Sequence, residues 1–472
     1  MIVPVIVAGG KGLRLWPQSR QDQPKPFVSV SGLAQTLLQA TLRRLAAVRG
    51  LQAPLVVCNA SHEFLVQAQA AEAGIHEIAT LLEPEGRNTA PALCAAALLL
   101  AKSYGSHAIM LALPADHQIA DEQAFAAAVA AGAELAGQDY LVTFAMKATR
   151  PATGYGYLKL GRTIDAAKQQ FLLDAFVEKP KREMAESFLA SGGYAWNSGM
   201  FMFKLATLLK SFEELQPSML VACRAALPED AKLASVKLHR APFLKAPSIS
   251  VDYAVMERAA NVATVVAELG WSDVGDWDAV WQISPKDATG VAAGGNVQVI
   301  DSRNSIVHSD GPLVVGLGLD DMIAIGTQDA VLVAPRSHAQ DVAKVVDALA
   351  ELGRKEAASG RKILRPWGWY ETLHAGPGFQ VKEIAVNPGS RVSLQRHKLR
   401  AEHWVCTSGH GIATRGEARI DIGVNDAVDI PLGCIHRLEN PGSRMLHIIE
   451  VQIGGYTGED DIERLEDDYG RG

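Results

Sequence analysis

The feature that most restricts the fold is an alternation of strand-like and helix-like runs in the first part of the chain. Strand-like runs are IVPVIVA (2–8), AIMLALPAD (108–116) and LVTFAM (141–146), and a helix-like run, QTLLQATLRRLAAV, occupies residues 35–48. Strands that alternate with helices typically form a parallel sheet covered by helices. We therefore predict an α/β domain over residues 1–289.

The texture of the sequence changes twice after this domain. Residues 290–335 contain short β segments broken by Asp, Asn and Gly, which predicts a small β-solenoid module. Residues 336–360 predict a helix and a polar linker, because Val342, Val346 and Leu349 fall on one helical face. Residues 361–472 contain short strands and Asn-Pro-Gly turns, which predict an all-β barrel or sandwich.

Composition narrows the class of protein. The sequence has 45 Lys and Arg against 52 Asp and Glu, and the net charge of −7 argues against a nucleic-acid partner. Its 5 cysteines are scattered, which is typical of reduced thiols in a cytoplasmic protein. The apolar run at residues 90–101 is shorter than the roughly 20 residues of a membrane span. The apolar amino terminus lacks the basic stretch of a signal peptide. We expect a cytoplasmic protein without membrane segments.

A glycine-rich turn follows the first strand. Gly9, Gly10 and Gly12 allow backbone N–H groups to approach phosphates, and Arg14 and Lys25 supply positive charge. The spacing fits neither the dinucleotide fingerprint nor the P-loop. On its own, this turn leaves a nucleotide site and an ordinary structural turn equally open.

Acidic and polar residues follow other strands of the same domain. Asp116 lies just past an apolar strand, and Asp273 lies in the segment GWSDVGDW (270–277). Mg²⁺ prefers one or two carboxylates together with phosphate oxygens, so one Asp from each segment would form a suitable site. Lys179 and Asn197 suit a sugar phosphate and sugar hydroxyls. Each has an alternative, since such residues also cap helices, close turns or remain solvated.

A second candidate site lies in the third unit. Gln395 and His397 share a face by strand alternation, and a barrel could bring Glu402 and His436 to the same interior. Four nitrogen and oxygen ligands suit Zn²⁺ or another divalent metal. A single interior histidine is more often a satisfied core group; a metal site is favoured here because the spacings of His397, Glu402 and His436 resemble the two motifs of the cupin family.

Motifs along the whole chain carry a family resemblance. They are, in order, GGKGLRLWP with PKPF, EPEGRNTAP, LPADH, TGYGY, FVEKP, WNSGMF, SVDY and GWSDVGDW, followed by the histidine-containing motifs of the third unit. They resemble the mannose-1-phosphate guanylyltransferases of the sugar-nucleotide pyrophosphorylase family, in the long form fused to a type II phosphomannose isomerase. The resemblance implies a Rossmann-like, GT-A-like nucleotidyltransferase domain, a short β-helix-like module and a C-terminal cupin barrel.

The resemblance also implies an activity and its residues. GTP and mannose 1-phosphate would give GDP-mannose and pyrophosphate, with Arg14 and Lys25 on the triphosphate and Asp116 and Asp273 on Mg²⁺. A sensor without catalysis is disfavoured because that phosphate and metal set is complete. The other implied substrate-binding residues are Gly9, Gly10, Gly12, Glu83, Arg87, Asn88, Thr89, Gly154, Tyr155, Gly156, Glu178, Lys179, Asn197 and Asp252.

For the third unit the resemblance implies isomerisation of mannose 6-phosphate and fructose 6-phosphate. Arg400, His403 and Arg437 would serve this reaction beside the cupin metal. The sequence departs from the family at Lys398 and Leu399, where histidines are usual. The alternative is therefore a guanylyltransferase with an inactive, structural cupin. A homodimer is a further expectation.

Overall fold

The computed structural model describes residues 1–10, 12–30 and 33–469. The chain divides into two compact units, Met1–Ala357 and Ala358–Gly472. The first unit contains a large mixed sheet with the strand order β5-β10-β7-β6-β8-β4-β1-β2-β3-β9. Its strands are β1 (Ile2–Ala8), β2 (Leu55–Asn59), β3 (Ala79–Glu83), β4 (Ile109–Pro114), β5 (Leu141–Lys147), β6 (Tyr157–Asp165), β7 (Gln170–Val177), β8 (Tyr194–Lys204), β9 (Ser235–Lys237) and β10 (Val262–Val266).

Parallel pairing defines one half of this sheet. Strands β9, β3, β2, β1 and β4 pair in parallel, whereas β8 joins antiparallel to β4, β5 and β6. The carboxyl ends of parallel strands meet at one edge, which is where open α/β sheets bind ligands. Glu83 and Asp116 lie at or just after the ends of β3 and β4. The sheet therefore brings these two predicted site residues to the edge formed by the carboxyl ends of its parallel strands.

Helices connect the strands and bury apolar faces against the sheet. In α3, Asn88 accepts the Thr89 N–H at 2.8 Å and so caps a helix whose apolar residues are almost all buried. The helices of the chain are α1 (Leu37–Arg44), α2 (Glu63–Glu72), α3 (Thr89–Tyr104), α4 (Glu122–Gly137), α5 (Arg182–Ser191), α6 (Leu205–Leu215), α7 (Pro217–Ala226), α8 (Arg240–Phe243), α9 (Trp277–Ile283) and α10 (Val342–Glu351).

A small β module follows α9. It consists of β11 (Ala292–Ile300), β12 (Ile306–Leu317), β13 (Met322–Gly326) and β14 (Val331–Pro335). Strands β11, β12 and β13 pair in parallel although only short connections join them, which is the arrangement of solenoid coils, and β14 closes the sheet antiparallel to β13. A 3₁₀ turn at Arg336–Asp341 then leads into α10.

The β module and α10 share a core with the glycine-rich turn. Leu15, Trp16 and Trp277 belong to the same buried apolar cluster as Ile323 and Val346. The segment that the sequence assigned to a polar linker begins inside this unit. The carbonyl of Glu356 accepts hydrogen bonds from Trp16 Nε1 at 2.9 Å and Arg20 Nη1 at 2.7 Å, and Ala357 is buried in the cluster. Glu356 and Ala357 therefore pack against residues of the first unit.

The second unit is built from two antiparallel sheets. One has the order β15-β16-β17-β24-β19-β22 and the other β21-β20-β23-β18-β25. The strands are β15 (Lys362–Arg365), β16 (Gly368–Gly376), β17 (Phe379–Val386), β18 (Leu394–His397), β19 (Arg400–Ser408), β20 (His410–Arg415), β21 (Ala418–Gly423), β22 (Ala427–Ile430), β23 (His436–Glu439), β24 (Leu446–Gly454) and β25 (Ile462–Glu466).

An apolar core between the strands of this unit includes Val386, Trp404, Leu438 and Ile448. The predicted architecture is confirmed: an α/β domain, a small β-solenoid module and an all-β carboxyl-terminal unit. Within the described ranges, no helix has both the length and the apolar character needed to cross a membrane.

Candidate active sites

The glycine-rich turn brings Lys25 close behind the end of β1. Gly12 has a φ of +61°, and a Cβ at this position would lie 2.3 Å from the Cβ of Lys25. A larger residue at position 12 would therefore push Lys25 away. The Ser19 hydroxyl donates a hydrogen bond to the Gly12 carbonyl at 2.6 Å and fixes the turn.

Lys25 contacts both segments that the sequence proposed for Mg²⁺, through the carboxylate of Asp116 and the backbone of Asp273. Its ammonium lies 2.7 Å from Asp116 Oδ2 and donates a hydrogen bond to the backbone carbonyl of Asp273. The two loops are also paired directly, because Gln118 and Ser272 exchange backbone hydrogen bonds of 2.9 and 3.0 Å. Residues that are far apart in the sequence thus meet at the sheet edge.

The charges of this cluster are partly balanced. Burial acts to raise the pKa of Asp116, but Lys25 and His117 hold that pKa below its usual value. Burial lowers the pKa of His117 to about 4, so the imidazole is neutral near pH 7. Asp273 Oδ1 accepts hydrogen bonds from the Tyr155 hydroxyl at 2.7 Å and the Gly275 N–H at 3.2 Å. Asp116 therefore presents an ionised oxygen, the donor type that Mg²⁺ prefers.

Asn197 and Asp252, the residues implied to contact the sugar, are hydrogen-bonded to each other. Asn197 on β8 accepts a hydrogen bond from Thr143 Oγ1 at 2.6 Å and donates one to Asp252 Oδ1 at 2.9 Å. Asp252 begins a short π-helical turn, Asp252–Met256. Burial raises the pKa of Asp252. Asn197 is thus fixed by hydrogen bonds to Thr143 and Asp252, as expected for a rigid residue that binds a sugar hydroxyl.

Glu178 and Lys179 follow the end of β7. Lys179 Nζ lies 3.1 Å from Glu178 Oε1, and the lysine side chain is 55% exposed. Burial, followed by repulsion from Asp252, raises the pKa of Glu178 to about 7. Gly156 makes room for this carboxylate, since a Cβ there would lie 2.5 Å from Glu178 Oε2, whereas a Cβ at Gly154 would meet nothing within 4 Å. Lys179 is accessible to an anion, and Glu178 is packed beneath it.

Aromatic side chains that sequence reasoning did not single out surround Tyr155. Tyr155 contacts Trp196 and Trp271 edge to face, with ring centroids 5.0 and 5.3 Å apart. The guanidinium of Arg150 lies 5.7 Å from the ring centroids of Tyr155 and Trp196. Trp271 Nε1 donates a hydrogen bond to His117 Nδ1 at 3.2 Å. Trp196 lies in the motif WNSGMF and Trp271 in the motif GWSDVGDW, so the motifs were the sequence signal that could have identified them.

The EPEGRNTAP motif, which supplies four of the implied substrate-binding residues, starts at the last residue of β3. Glu83 is buried, its Oε1 has no hydrogen-bond partner in the described residues, and burial raises its pKa to about 7. The next residues also have structural partners: Arg87 donates to the Ala246 carbonyl at 3.4 Å, and Thr89 Oγ1 accepts the Val251 N–H at 2.9 Å. Glu83 is therefore the residue here with an acceptor still to be satisfied.

Arg14 lies in the 3₁₀ turn Leu13–Leu15 of the glycine-rich segment. Its Nη1 donates a hydrogen bond of 2.6 Å to Gln340 Oε1, a residue from the turn before α10. Sequence reasoning did not predict this contact, because Gln340 belongs to no phosphate-binding motif.

The barrel brings together the ligands predicted for the second metal. One nitrogen or oxygen each from His397, Glu402 and His436 lie within 4.8 Å of one another, and all three residues are buried. His397 Nε2 is 3.0 Å from Glu402 Oε1, and His436 Nε2 is 3.5 Å from Glu402 Oε2. Gln395 stands opposite His436 across the strand pair, with its Nε2 3.4 Å from His436 Nε2. An amide rotation would turn the Gln395 oxygen toward the cluster.

These residues fit a divalent metal. Both ring nitrogens of His397 are buried; Nδ1 has no hydrogen-bond partner among the described residues, and Nε2 faces the Glu402 carboxylate. His436 Nδ1 lies 2.9 Å from the Cys434 carbonyl, so donation to that oxygen leaves Nε2 as a ligand. Burial acts to raise the pKa of Glu402, but contacts with His397 and His436 hold it well below its usual value. Two imidazoles and one carboxylate form a common set for Zn²⁺ and other first-row metals.

A cavity beside the cluster is lined by basic side chains together with Glu402, Glu450 and Glu459. The basic side chains are those of Arg365, Lys382, Arg400 and Arg464. Arg464 pairs with Gln395 across β25 and β18, and its buried Nε has no hydrogen-bond partner in the described chain. Of these basic residues, sequence reasoning named Arg400 alone. The others lie on strands whose pairing places them here, and no motif marks them.

Strand β24 contributes two further side chains to the cavity, the carboxyl group of Glu450 and the carboxamide group of Gln452. Gln452 Nε2 donates hydrogen bonds to Glu402 Oε1 at 3.2 Å and Glu450 Oε2 at 2.8 Å, and Trp404 Nε1 donates to both glutamates. Burial and the charge of Glu402 raise the pKa of Glu450 well above its usual value. Of the two glutamates, Glu402 is thus the one whose ionised form is favoured.

Three predicted features of the isomerase site lie elsewhere. His403 is on the outer face of β19, where its Nδ1 lies 2.6 Å from Asp429 Oδ1, because alternate residues of a strand point to opposite faces. Arg437 Nη1 forms an ion pair of 3.1 Å with Glu466. Leu399 is 54% exposed in the connection between β18 and β19. The structure corrects the placement of His403 beside the metal.

Comparison with known proteins agrees with these units. Residues 3–290 match the nucleotidyl transferase family, residues 295–349 match the MannoseP isomerase/GMP-like beta-helix domain, and residues 352–467 match the mannose-6-phosphate isomerase C-terminal domain. Fold and sites together define a nucleotidyl transferase fused to an isomerase-type barrel.

Relatives of full length make the assignment more specific. Alginate biosynthesis protein AlgA of Pseudomonas aeruginosa is 44% identical over 100% of this chain and 97% of its own length. Xanthan biosynthesis protein XanB of Xanthomonas campestris pv. campestris is 44% identical over 100% and 99%. Mannose-1-phosphate guanylyltransferase of Escherichia coli is 42% identical over 100% of both chains.

A solved structure supports the same conclusion. A protein of Thermus thermophilus, described as a mannose-1-phosphate geranyltransferase, is 34% identical with a TM-score of 0.66 and covers 74% of this chain and 99% of its own. The chain belongs to the nucleotidyl transferase family, among the mannose-1-phosphate guanylyltransferases that carry a mannose-6-phosphate isomerase C-terminal domain. The predicted family is confirmed.

Proposed function

We propose that the first unit forms GDP-mannose and pyrophosphate from GTP and mannose 1-phosphate. A phosphate oxygen of mannose 1-phosphate attacks the α-phosphorus of GTP. The new oxygen–phosphorus bond forms as the bond from the α-phosphorus to the bridging oxygen breaks, and pyrophosphate leaves with the electron pair. The attacking oxygen is already a nucleophile, so alignment and charge stabilisation supply the catalysis.

The observation that carries this proposal is the position of Lys25. Its ammonium contacts Asp116 and the backbone of Asp273, so cationic and anionic groups meet at the end of β1. Asp116 and Asp273 would hold Mg²⁺, which when bound neutralises phosphate charge. Lys25 and Arg14 would bind the triphosphate and stabilise the charge on the departing pyrophosphate.

The sugar phosphate would bind on the other side of the cluster. Lys179 would contact the 1-phosphate because its ammonium is accessible, and Asn197 and Asp252 would contact mannose hydroxyls. The backbone N–H groups of the turn at Gly9, Gly10 and Gly12 would approach GTP. Glu83 would accept the N–H donors of guanine, since its carboxylate is buried with an unsatisfied oxygen.

The KM values of the two substrates test this division. Lys179→Ala should raise the KM for mannose 1-phosphate about tenfold or more and leave the KM for GTP nearly unchanged, because one charge-assisted contact is lost. Arg14→Ala should instead raise the KM for GTP or lower kcat. Lys181→Ala is a matched control, since this lysine is also exposed and lies two residues away. Equal effects of Lys179→Ala on both KM values would contradict the assignment.

We propose that the second unit interconverts mannose 6-phosphate and fructose 6-phosphate. Gln395, His397, Glu402 and His436 would hold Zn²⁺ or another divalent metal, which when bound polarises the sugar carbonyl. Arg365, Arg400 and Arg464 would bind the phosphate, because they line the same cavity and Arg464 has an unsatisfied donor. The alternative, a structural barrel without isomerase activity, gains weight from the outward position of His403 and from Leu399.

The expected partners are small molecules. GTP, mannose 1-phosphate and mannose 6-phosphate are the proposed ligands, and the net charge of −7 disfavours nucleic acid. We place the protein in the cytoplasm, where its free cysteines would remain reduced. A homodimer stays a proposal, and the exposed Leu313, Val315 and Leu317 of β12 offer an apolar surface for it. The names of relatives favour a supply of activated sugar for polysaccharide synthesis.

A further inference from the structure

A chain of hydrogen bonds links Arg14 to the loop that carries Asp273. Arg14 Nη1 donates to Gln340 Oε1 at 2.6 Å. The Gln340 amide nitrogen in turn donates to Asp276 Oδ2. Asp276 is buried, and its other oxygen accepts the Ala279 N–H at 2.8 Å to cap α9. Gln340 thus bridges the glycine-rich turn and the start of α9 through the two ends of one amide.

The turn that carries Gln340 is fixed to α9 by its first residue. Arg336 donates hydrogen bonds of 3.0 and 2.7 Å to Asp278 Oδ1, and its guanidinium lies 3.4 Å from the ring centroid of Trp281. It also contacts Asp321 at 3.1 Å. The backbone at Gln340 is therefore held in place even though its side chain is exposed to solvent.

Gln340 lies outside the part of the chain that matches the nucleotidyl transferase family. That match ends at residue 290, whereas Gln340 follows the β module. The turn that follows the module therefore contributes a side chain that contacts Arg14 in the glycine-rich segment. The contact has a direction, because the amide oxygen faces the cation and the amide nitrogen faces the carboxylate.

We propose that Gln340 is a positioning residue for GTP, which orients the Arg14 guanidinium toward the triphosphate; this inference rests on the proposed function. An arginine side chain is flexible, and it loses conformational freedom when it binds a phosphate. Gln340 restricts Arg14 before GTP arrives, which reduces that loss. In the described residues Gln340 accepts from Nη1, and the remaining N–H groups of Arg14 can point toward phosphate oxygens.

Asp276 gives the contact its specificity. The carboxylate fixes the orientation of the Gln340 amide, so that the oxygen and not the nitrogen is presented to Arg14. With the opposite orientation, an amide N–H would face a guanidinium N–H, and both would be donors. The same carboxylate caps α9, which starts just after the Asp273 loop. Arg14 and the proposed Mg²⁺ ligand Asp273 are thus both positioned relative to the amino terminus of α9.

A double-mutant cycle on the full-length protein tests this role. Gln340→Ala, Arg14→Ala and the double variant are compared by calorimetric titration with GTP and Mg²⁺ and by the KM values of both substrates. Gln340→Ala should weaken GTP binding about three- to tenfold, as expected for loss of a hydrogen bond to a charged group, and leave the KM for mannose 1-phosphate unchanged. In the Arg14→Ala background the same substitution should have no further effect.

Gln298→Ala serves as a surface control, because Gln298 is exposed on β11 of the same module. A purely structural role for Gln340 would raise both KM values together, or would add to the effect of Arg14→Ala, and either result would overturn the inference. An unchanged affinity of Gln340→Ala for GTP would overturn it as well. If the wild-type protein binds GTP but shows no turnover, the proposed function is contradicted. The double-mutant cycle measured by GTP binding would then still test the role of Gln340.

Discussion

Lys25 shows how a single buried charge can organise a site. Only 5% of the residue is exposed, and a buried ammonium is costly unless it is paired. Asp116 supplies the opposite charge and the Asp273 carbonyl supplies a further acceptor, so the lysine stabilises the approach of two loops. The sequence motif predicted Lys25 as a phosphate ligand. Its role in holding both carboxylate-bearing loops follows from the structure.

Glu83 gives a pH-dependent prediction at the residue scale. Burial raises its pKa from 4.5 to about 7, so the folded state holds a proton that the unfolded state has lost between these values. The contribution of Glu83 to stability therefore falls as the pH rises from about 4.5 to 7. The ionised carboxylate is the form that accepts guanine N–H donors.

We expect the affinity for GTP to increase about ninefold from pH 6 to pH 8, because the ionised fraction of Glu83 rises from roughly 0.1 to 0.9. Calorimetric titration with GTP at pH 6, 7 and 8 measures this change. Glu83→Gln should bind GTP more weakly and should lose the pH dependence that Glu83 causes. Any pH dependence that arises from protonation of GTP itself should be the same for both proteins. A ninefold increase that persists in Glu83→Gln would exclude Glu83 as its source.

Strand β19 shows how an element divides residues between a site and a surface. Arg400, Glu402 and Trp404 are buried, whereas His403 and Val405, on either side of Trp404, are exposed. Period-two alternation alone predicts this separation. The family resemblance had placed His403 in the isomerase site, and the strand geometry shows why it lies outside the barrel.

His403, which lies outside the barrel, and His436, which lies in the metal cluster, therefore form a matched pair for a metal-binding test. His436→Ala should remove most of the bound metal, because it deletes one of the ligands of a partly open site. His403→Ala should retain full occupancy. Metal content per chain, measured by elemental analysis after dialysis, checks both, and fructose 6-phosphate to mannose 6-phosphate exchange is followed in the same samples. Equal metal loss in the two variants would contradict the assigned cluster.

The sequence was informative about strands that carry motifs and silent about strands that lack them. Gln395 and His397 were placed on one face because they lie two residues apart. Glu450 and Arg464, in contrast, enter the cavity from β24 and β25, and only the order of strands in the sheets brings these elements beside β19 and β18. Pairing between distant segments has no local signature, so these residues could not be predicted.

At the scale of the whole molecule, the first unit extends further than composition indicated. Polar residues after Gly353 resembled a linker, yet Glu356 and Ala357 complete the core around Trp16. The contacts are made by the backbone carbonyl of Glu356 and by the buried Ala357. A linker and a packed terminal segment can therefore have the same composition.

This difference predicts where the chain can be divided. A fragment of residues 1–357 should retain guanylyltransferase activity, because it includes the whole compact unit. A fragment of residues 1–352 should lose about 2–4 kcal/mol of stability, since Trp16 and Arg20 lose acceptors and Ala357 leaves the core. Chemical denaturation and GTP-dependent pyrophosphate release compare the two fragments. Identical stabilities would show that residues 353–357 do not hold the glycine-rich turn.

The most direct test of the account is pyrophosphate release by the full-length protein with Mg²⁺. GTP, ATP and dTTP are each supplied with mannose 1-phosphate or glucose 1-phosphate, and Asp273→Asn is assayed in parallel. The account predicts that GTP with mannose 1-phosphate is the preferred pair, with GDP-mannose as product, and that Asp273→Asn lowers turnover by at least about a hundredfold. Preference for another nucleotide or sugar phosphate, or wild-type turnover by Asp273→Asn, would contradict it.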